Sequence, residues 1–253
     1  FIPSVQKYHF LPPSPGIMAV YNEAESLQTL ITLLEEVEGT RVTLIGDVML
    51  DRYHHGYANN LNSTAPVPAL RVIYSEESPG AAAHVARGLS SLGLSVDLHS
   101  SVGDDNEGKC IINTLRKDGI DTSGIIEVEG RNTLTKIRFY GSRENLLDQE
   151  QILLQADRGP LDELDSNISE SLTKASLESL SESQALVISD YNKGVITEEG
   201  SEALISAAKS LGIPCIVDPK LTGLSRSKGA DIVIFGIRGL ELQNKRLMTS
   251  SLD

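Results

Sequence analysis

Short apolar runs of strand length alternate with amphipathic stretches of helix length along most of this chain, and that alternation leaves few folds open. The apolar runs are Arg41–Gly46 and residues 96–100, 185–189, 214–217 and 230–234. Between them lie segments with one apolar helical face. These are residues 81–92 (Val85, Leu89, Leu92), 107–118, 161–180 with a patchier stripe, and Glu198–Leu211. A strand that is apolar throughout is buried on both faces, which calls for helices on both sides of a parallel sheet. The expected fold is therefore α/β, a doubly wound parallel sheet.

Two segments interrupt this rhythm. Residues 51–78 lack a helical period and alternate polar with apolar side chains, most clearly over 67–74. Pro66 and Pro68 there suit an edge strand, because proline cannot donate to a ladder. Residues 133–140 alternate again. Together 51–78 and 133–140 predict a small β lid on a domain spanning 41–253. Residues 1–40 read as an N-terminal arm and helix. The arm, 1–16, carries Pro12, Pro13 and Pro15 without period, and Glu23–Val37 carries an apolar stripe of Leu27, Leu30, Ile31, Leu33 and Leu34. Gly39 stops that helix, and Gly159-Pro160 marks a loop.

The formal net charge of −13 excludes nucleic acid as a partner, since that surface needs a basic stripe. No apolar run reaches membrane-spanning length, which excludes a membrane partner. A nucleotide site is compatible with the charge, because local Lys, Arg, Mg²⁺ or helix N-termini suffice. Cys110 and Cys215 are far apart and read as free thiols of a reducing compartment. That points to the cytoplasm, with an organelle matrix (mitochondrion or plastid) as the alternative. Residues 1–39 contain no Arg and do not resemble a targeting peptide.

Five blocks carry the chemistry: Gly46-Asp47-Val48-Met49-Leu50-Asp51, Ser78 to Ala86, Arg131 to Arg138, Ser189-Asp190-Tyr191-Asn192-Lys193-Gly194, and Asp218-Pro219-Lys220. Three of them follow predicted strands, at the edge where open parallel sheets bind ligands. Asp47 and Asp51 can accept hydrogen bonds from sugar hydroxyls. Lys136 and Arg138 lie two apart on a predicted strand, so both project from one face. Such a pair can grip a phosphate, Arg as a fork and Lys as a point charge. Asp190 can contact substrate or help hold Mg²⁺ through water, and Lys193 can neutralise phosphate charge. Each block also has a plainer reading, as a capped turn, a helix start or a solvated strand face. His54-His55 cannot bind one metal jointly, since neighbours on a strand point to opposite faces, and no metal-ligand set is identified.

Taken in order, the five blocks resemble the ribokinase-type (phosphofructokinase-B) carbohydrate kinases, and within them the bacterial D-glycero-β-D-manno-heptose-7-phosphate kinases. The resemblance implies a ribokinase-like fold with a β lid and ATP-dependent phosphorylation of a sugar or sugar phosphate. It implies Asp47, Asp51, Gly80, Ala81, His84, Lys136, Arg138 and Asp190 as substrate-binding residues. Lys193, Asp218 and Lys220 would lie at the nucleotide phosphates, with ATP and Mg²⁺ as cofactors. A homodimer through the lid, or a partner subunit, would complete the assembly.

The sequence departs from the family pattern at several points. Ala81 stands where the family has a second glycine, and His84 where it has Asn. The 145–151 stretch is longer and more acidic than the family's. Residues 234–241 have no Asn and no Pro where the family has the Thr-Pro-Asn that, with a Glu, organises the metal, and the Gly-Ala-Gly-Asp motif with the general base does not occur in these 253 residues. Read against the family the chain is C-terminally truncated, and no catalytic residue is assigned. The expectation is that it does not phosphorylate a sugar by itself. The alternative reading is a pseudokinase without cofactor, serving as a structural or regulatory subunit.

Overall fold

The computed structural model describes residues 23–142, 150–160 and 162–234, together with 236, 237, 239, 241, 242 and 245. The chain divides into two compact units, Phe1–Val37 and Glu38–Asp253. In the first, helix α1 (Glu23–Val37) has the bounds its apolar stripe predicts. The expected arm, 1–16, lies outside the described residues.

The second unit runs β1 (Arg41–Gly46), β2 (Val48–Leu61), β3 (Pro68–Ala81), α2 (Ala82–Ser91), β4 (Ser95–Gly103), α3 (Asn106–Lys117), β5 (Ile125–Val128) and β6 (Thr135–Ser142). It continues with β7 (Gln151–Arg158), α4 (Ser166–Leu180), β8 (Ala185–Asp190), α5 (Glu198–Leu211), β9 (Cys215–Pro219), a 3-10 helix Leu221–Ser227, and β10 (Ile232–Val233). Six strands form one sheet in the order β10-β9-β8-β1-β4-β5, and every pairing in it is parallel. Alternate residues of β1 feed two cores. Leu44 packs with α2 and α3 through Ala83, Ala86, Ile111 and Leu115. Ile45 packs on the other face with α4 and α5 through Leu172, Leu180, Leu204 and Ile205. The sheet is thus doubly wound, as the apolar runs require.

Local chemistry sets the helix ends. Asp105 caps α3 by accepting from Gly108 N at 2.9 Å, and Arg116 and Lys117 sit in its last turn, where they meet the negative end of the helix dipole. Thr197 caps α5, and Gly212 closes it in the left-handed region. Helix α4 starts at Ser166 rather than at residue 161, because Asp165 accepts from Asn167 N at 2.8 Å and fixes the first turn there.

The remaining strands form a second sheet in the order β3-β2-β6-β7. Strands β2 and β6 pair in parallel from Leu50↔Thr135 to Tyr57↔Ser142. Strands β3 and β7 flank them antiparallel, β3 as an edge strand opened by Pro68. The pattern of the sequence did not assign β7 or β5. Most of β7 is exposed, so no buried face imposes alternation on it. Both cysteines are free thiols, Cys110 half-buried and Cys215 buried, and burial pushes the Cys215 thiol up to about 12. Among the described residues no helix is long and apolar enough to cross a membrane.

Candidate functional site

The lid rises from the carboxyl end of β1, and three loops meet beneath it: the β1–β2 turn, the loop after β8, and the loop after β9. Strand β1 neighbours β4 on one side and β8 on the other, so the chain order reverses beside it, the usual position for a ligand crevice. Gly46 makes the first junction possible, since a Cβ there would run into the Ser189 carbonyl.

Asp47, expected at a sugar hydroxyl, turns inward instead. It is 1% exposed. Its Oδ2 accepts from the backbone amides of Tyr191 (2.9 Å) and Lys193 (3.1 Å), and its Oδ1 from that of Val195 (3.2 Å). A buried carboxylate surrounded by backbone donors belongs to the scaffold, here as the pin of the 191–195 loop. Burial pushes its pKa up to about 6 against the pull of those amides, and nearby Asp190 adds to the rise.

Asp51, at the foot of the lid, lies close enough to Tyr191 for its charge to act on the phenol. In the strand register it stands beside Lys136 and Ser78, and Arg138 stands beside Tyr53 and Gln155. Arg138 donates to Asp51 Oδ1 at 2.7 Å, and its guanidinium lies 5.3 Å from the Tyr53 ring centroid. The other oxygen, Oδ2, lies over Gly80, where any side chain would collide with it. Gly80, Asp51 and Arg138 therefore form one packed corner.

Lys136 points to the loop after β8, with its ammonium 5.8 Å from the Tyr191 ring centroid. Lys220, from the loop after β9, places its ammonium 4.3 Å from the same centroid. Asp218 is half-buried beside them. Burial raises its pKa, and Lys220 partly offsets the rise. The Tyr191 phenol is raised as well, by burial and then by the charges of Asp218 and Asp51. Tyr191, Asp190, Asp218, Pro219 and Lys220 line a cleft of about 190 Å³.

Asp190 is buried and committed. It accepts from Arg226 Nε at 2.7 Å and from Asn192 N at 2.8 Å, which leaves little of its carboxylate for a ligand. Lys193 is exposed and lines a different cavity from Lys220, with Asp47, Arg131 and Thr133. His84 is exposed in the first turn of α2. Ala81, just before that helix, has φ 54° and ψ −130°, a backbone region that strongly favours glycine.

Among the described residues no group of three or more His, Cys, Asp or Glu side chains could hold a metal ion. Mg²⁺ in nucleotide sites takes only one or two carboxylates, with phosphate and water completing its shell, and Asp218 is the carboxylate that suits this role. The altered 145–151 stretch lies mostly outside the described residues, as do Phe235, Arg238 and Leu240. Sequence reasoning missed two contributors: Tyr191 and Arg226. Tyr191 stood inside a motif already singled out, where an aromatic ring between flanking charges was the available signal.

The profile of the family described as pfkB family carbohydrate kinase matches residues 40–246. The bifunctional protein HldE of Magnetococcus marinus is 34% identical over 79% of this chain and 42% of its own length. The HldE of Coxiella burnetii is 35% identical over 81% of this chain and 40% of its own. The chain thus spans about two-fifths of the length of these curated relatives. Among solved structures, Arabidopsis thaliana ribokinase in complex with ribose and ATP superimposes with a TM-score of 0.55 and 15% identity, covering 77% of this chain and 59% of that one. The tetrameric inhibited form of Escherichia coli phosphofructokinase-2 gives 0.54 and 19%, covering 84% and 70%. At such identities the structural likeness speaks for the fold alone.

Proposed function

This chain belongs to the pfkB family of carbohydrate kinases, and from that premise we propose that it binds a phosphorylated sugar of the heptose 7-phosphate kind beneath its lid, as the sugar side of an ATP-dependent phosphotransfer site. Kinases of this family use ATP, typically with Mg²⁺. The observation that carries the reading is the convergence of the lid cation Lys136 and the strand-end cation Lys220 on Tyr191, with Asp51 and Arg138 on one side and Asp218 on the other.

Each residue has a part in that reading. Asp51, held by Arg138 over Gly80, accepts from sugar hydroxyls. Lys136 supplies the free charge for the substrate's phosphate, and Arg138 joins it as the ligand enters. Asp218 and Lys220 face the nucleotide phosphates, where Mg²⁺ supplies charge neutralisation when bound. Asp47 contributes from below, by fixing the loop that carries Tyr191. In solution the chain pairs with a second copy through its lid. Support for this comes from Val72 and Ile73 on one edge strand of the lid and Ile152 and Leu154 on the other, apolar side chains each about half exposed that a partner would cover.

One observation favours a second reading, binding without turnover. The family's glycine position is held here by Ala81 in a glycine-type conformation, and the family's Asn by the exposed His84. Incubating the chain with Mg·ATP and a panel of sugar phosphates, while following ADP, separates the two. ADP formation that depends on heptose 7-phosphate supports the kinase. Saturable heptose 7-phosphate binding without ADP supports the second reading, and absence of both rejects the substrate class.

A further inference from the structure

We propose that Tyr191 is a positioning residue that couples the two sides of the cleft by holding one lysine from each on a single ring. The inference rests on the substrate reading above and deepens it. Lys136 arrives from lid strand β6 and Lys220 from the loop after β9. Their ammonium groups lie 5.8 Å and 4.3 Å from the Tyr191 centroid. A cation within about 6 Å of an aromatic face is attracted by the ring quadrupole, whereas two ammonium groups brought to one ring repel each other. Neither lysine forms an ion pair among the described residues; Asp218 acts on Lys220 only through its charge at longer range, so that repulsion is offset only in part.

The backbone that carries the ring is fixed to the sheet end and does not travel with the lid. Tyr191 N donates to Asp47 Oδ2 at 2.9 Å, and two further amides of the same loop hold Asp47 in turn. Asp47 is buried in the sheet end. Because Tyr191 is anchored to the sheet, Lys136 and the strand that carries it have to move to the ring. The unequal distances fit this arrangement: the cation on the sheet side sits close, and the cation on the lid side stands off.

An anion bound at Lys220 neutralises the charge that keeps Lys136 away, so filling the nucleotide side draws β6 inward. A phosphate bound at Lys136 relieves Lys220 in the same way. By linkage the effect has to be reciprocal. Tyr191 thereby makes each ligand tighten the other, with the aromatic face as the essential element and the phenol hydroxyl dispensable.

Calorimetric titration of the 253-residue chain tests this, using Mg·ADP and D-glycero-β-D-manno-heptose 7-phosphate, each alone and each in the presence of the other. Each ligand is expected to tighten the other by about fivefold or more, the lower end for coupled sites. Tyr191→Phe keeps that factor. Tyr191→Leu brings it to about one, while each ligand alone still binds. Tyr191→Met, which keeps both lysines and removes the aromatic face, also abolishes the coupling and serves as the test if the Leu variant does not fold. Independent binding in the wild type, or coupling that survives in Tyr191→Leu or Tyr191→Met, overturns the role of Tyr191 and leaves the substrate reading standing. Failure of the wild type to bind either ligand overturns both.

Discussion

In the six-stranded sheet the residues that hold strands in place are apolar and fully buried, while in the lid they are charged or aromatic and partly exposed. One carboxylate in each region shows what this means. Asp47 is shut into the sheet end and bonds to three backbone amides of one loop. Glu107, at the start of α3, receives Arg52 of β2 at 3.1 Å and Arg158 of β7 at 3.0 Å. Arg52 also pairs with Glu77 of β3 at 2.6 Å. Beyond this clamp the lid is held by stacked rings, with His55 between Tyr74 at 4.6 Å and Tyr140 at 5.2 Å. Backbone bonds to a buried carboxylate have no cheap alternative, whereas the partly exposed Arg52 and Arg158 can exchange their ion pairs for water at smaller cost. The sheet end is therefore a fixed reference and the lid an adjustable one, and the candidate site lies on the seam.

The largest effect should come from the fixed side. Asp47→Ala leaves three amides of the 191–195 loop without their acceptor. It should lower stability by about 3 kcal/mol or more, at roughly 1–3 kcal/mol for each buried group left unsatisfied. Urea unfolding at about pH 4 would measure this, and a loss below about 1 kcal/mol there would show that the loop stands without its pin. The loss should also depend on pH. The folded state holds the Asp47 proton more tightly than the unfolded chain, so protonation favours folding. That contribution is present in full below about pH 3.8 and is lost as pH rises through about 6. The gap between wild type and variant should accordingly shrink by up to about 3 kcal/mol between pH 4 and pH 7.

On the adjustable side, Glu107→Ala should cost about 1.5–3 kcal/mol, as for hydrogen bonds to a charged group whose partners can turn to water, and the effect should stay local. Hydrogen exchange should speed up in the lid strands β2 and β7, with β1 and β8 unchanged. Uniform acceleration across both sheets would mean that lid and sheet form one cooperative unit. The smallest effect expected is a gain. Ala81→Gly relieves a side chain held at φ 54° and should stabilise the protein by about 1 kcal/mol. A loss on that change would show that the methyl group packs usefully.

The same contrast explains which features were legible in the sequence. Strands of the sheet announce themselves because burial on both faces demands continuous apolar runs, and α5 was readable to its last residue because Thr197 and Gly212 punctuate it. In the lid, β7 has no buried face to impose a pattern, so Gln151–Arg158 gave no periodic signal. At the site, Asp51, Lys136 and Arg138 could be placed together, since strand periodicity and motif order both point to one face. The inward turn of Asp47 could not be read, because it depends on a loop more than 140 positions downstream. The commitment of Asp190 to Arg226 is long-range in the same way. Motif strings name the residue types at a strand end, and tertiary packing decides which of them face the ligand.

The account turns on the lid cations recognising a phosphate against a sheet end that does not move. The direct measurement is a binding titration of heptose 7-phosphate and of the unphosphorylated heptose, on wild type and on the Lys136→Ala/Arg138→Ala double variant. The account predicts saturable binding of the phosphorylated sugar to wild type, much weaker binding of the unphosphorylated one, and loss of phosphate-dependent binding in the double variant with its fold intact. Undiminished binding of heptose 7-phosphate in that variant would contradict it.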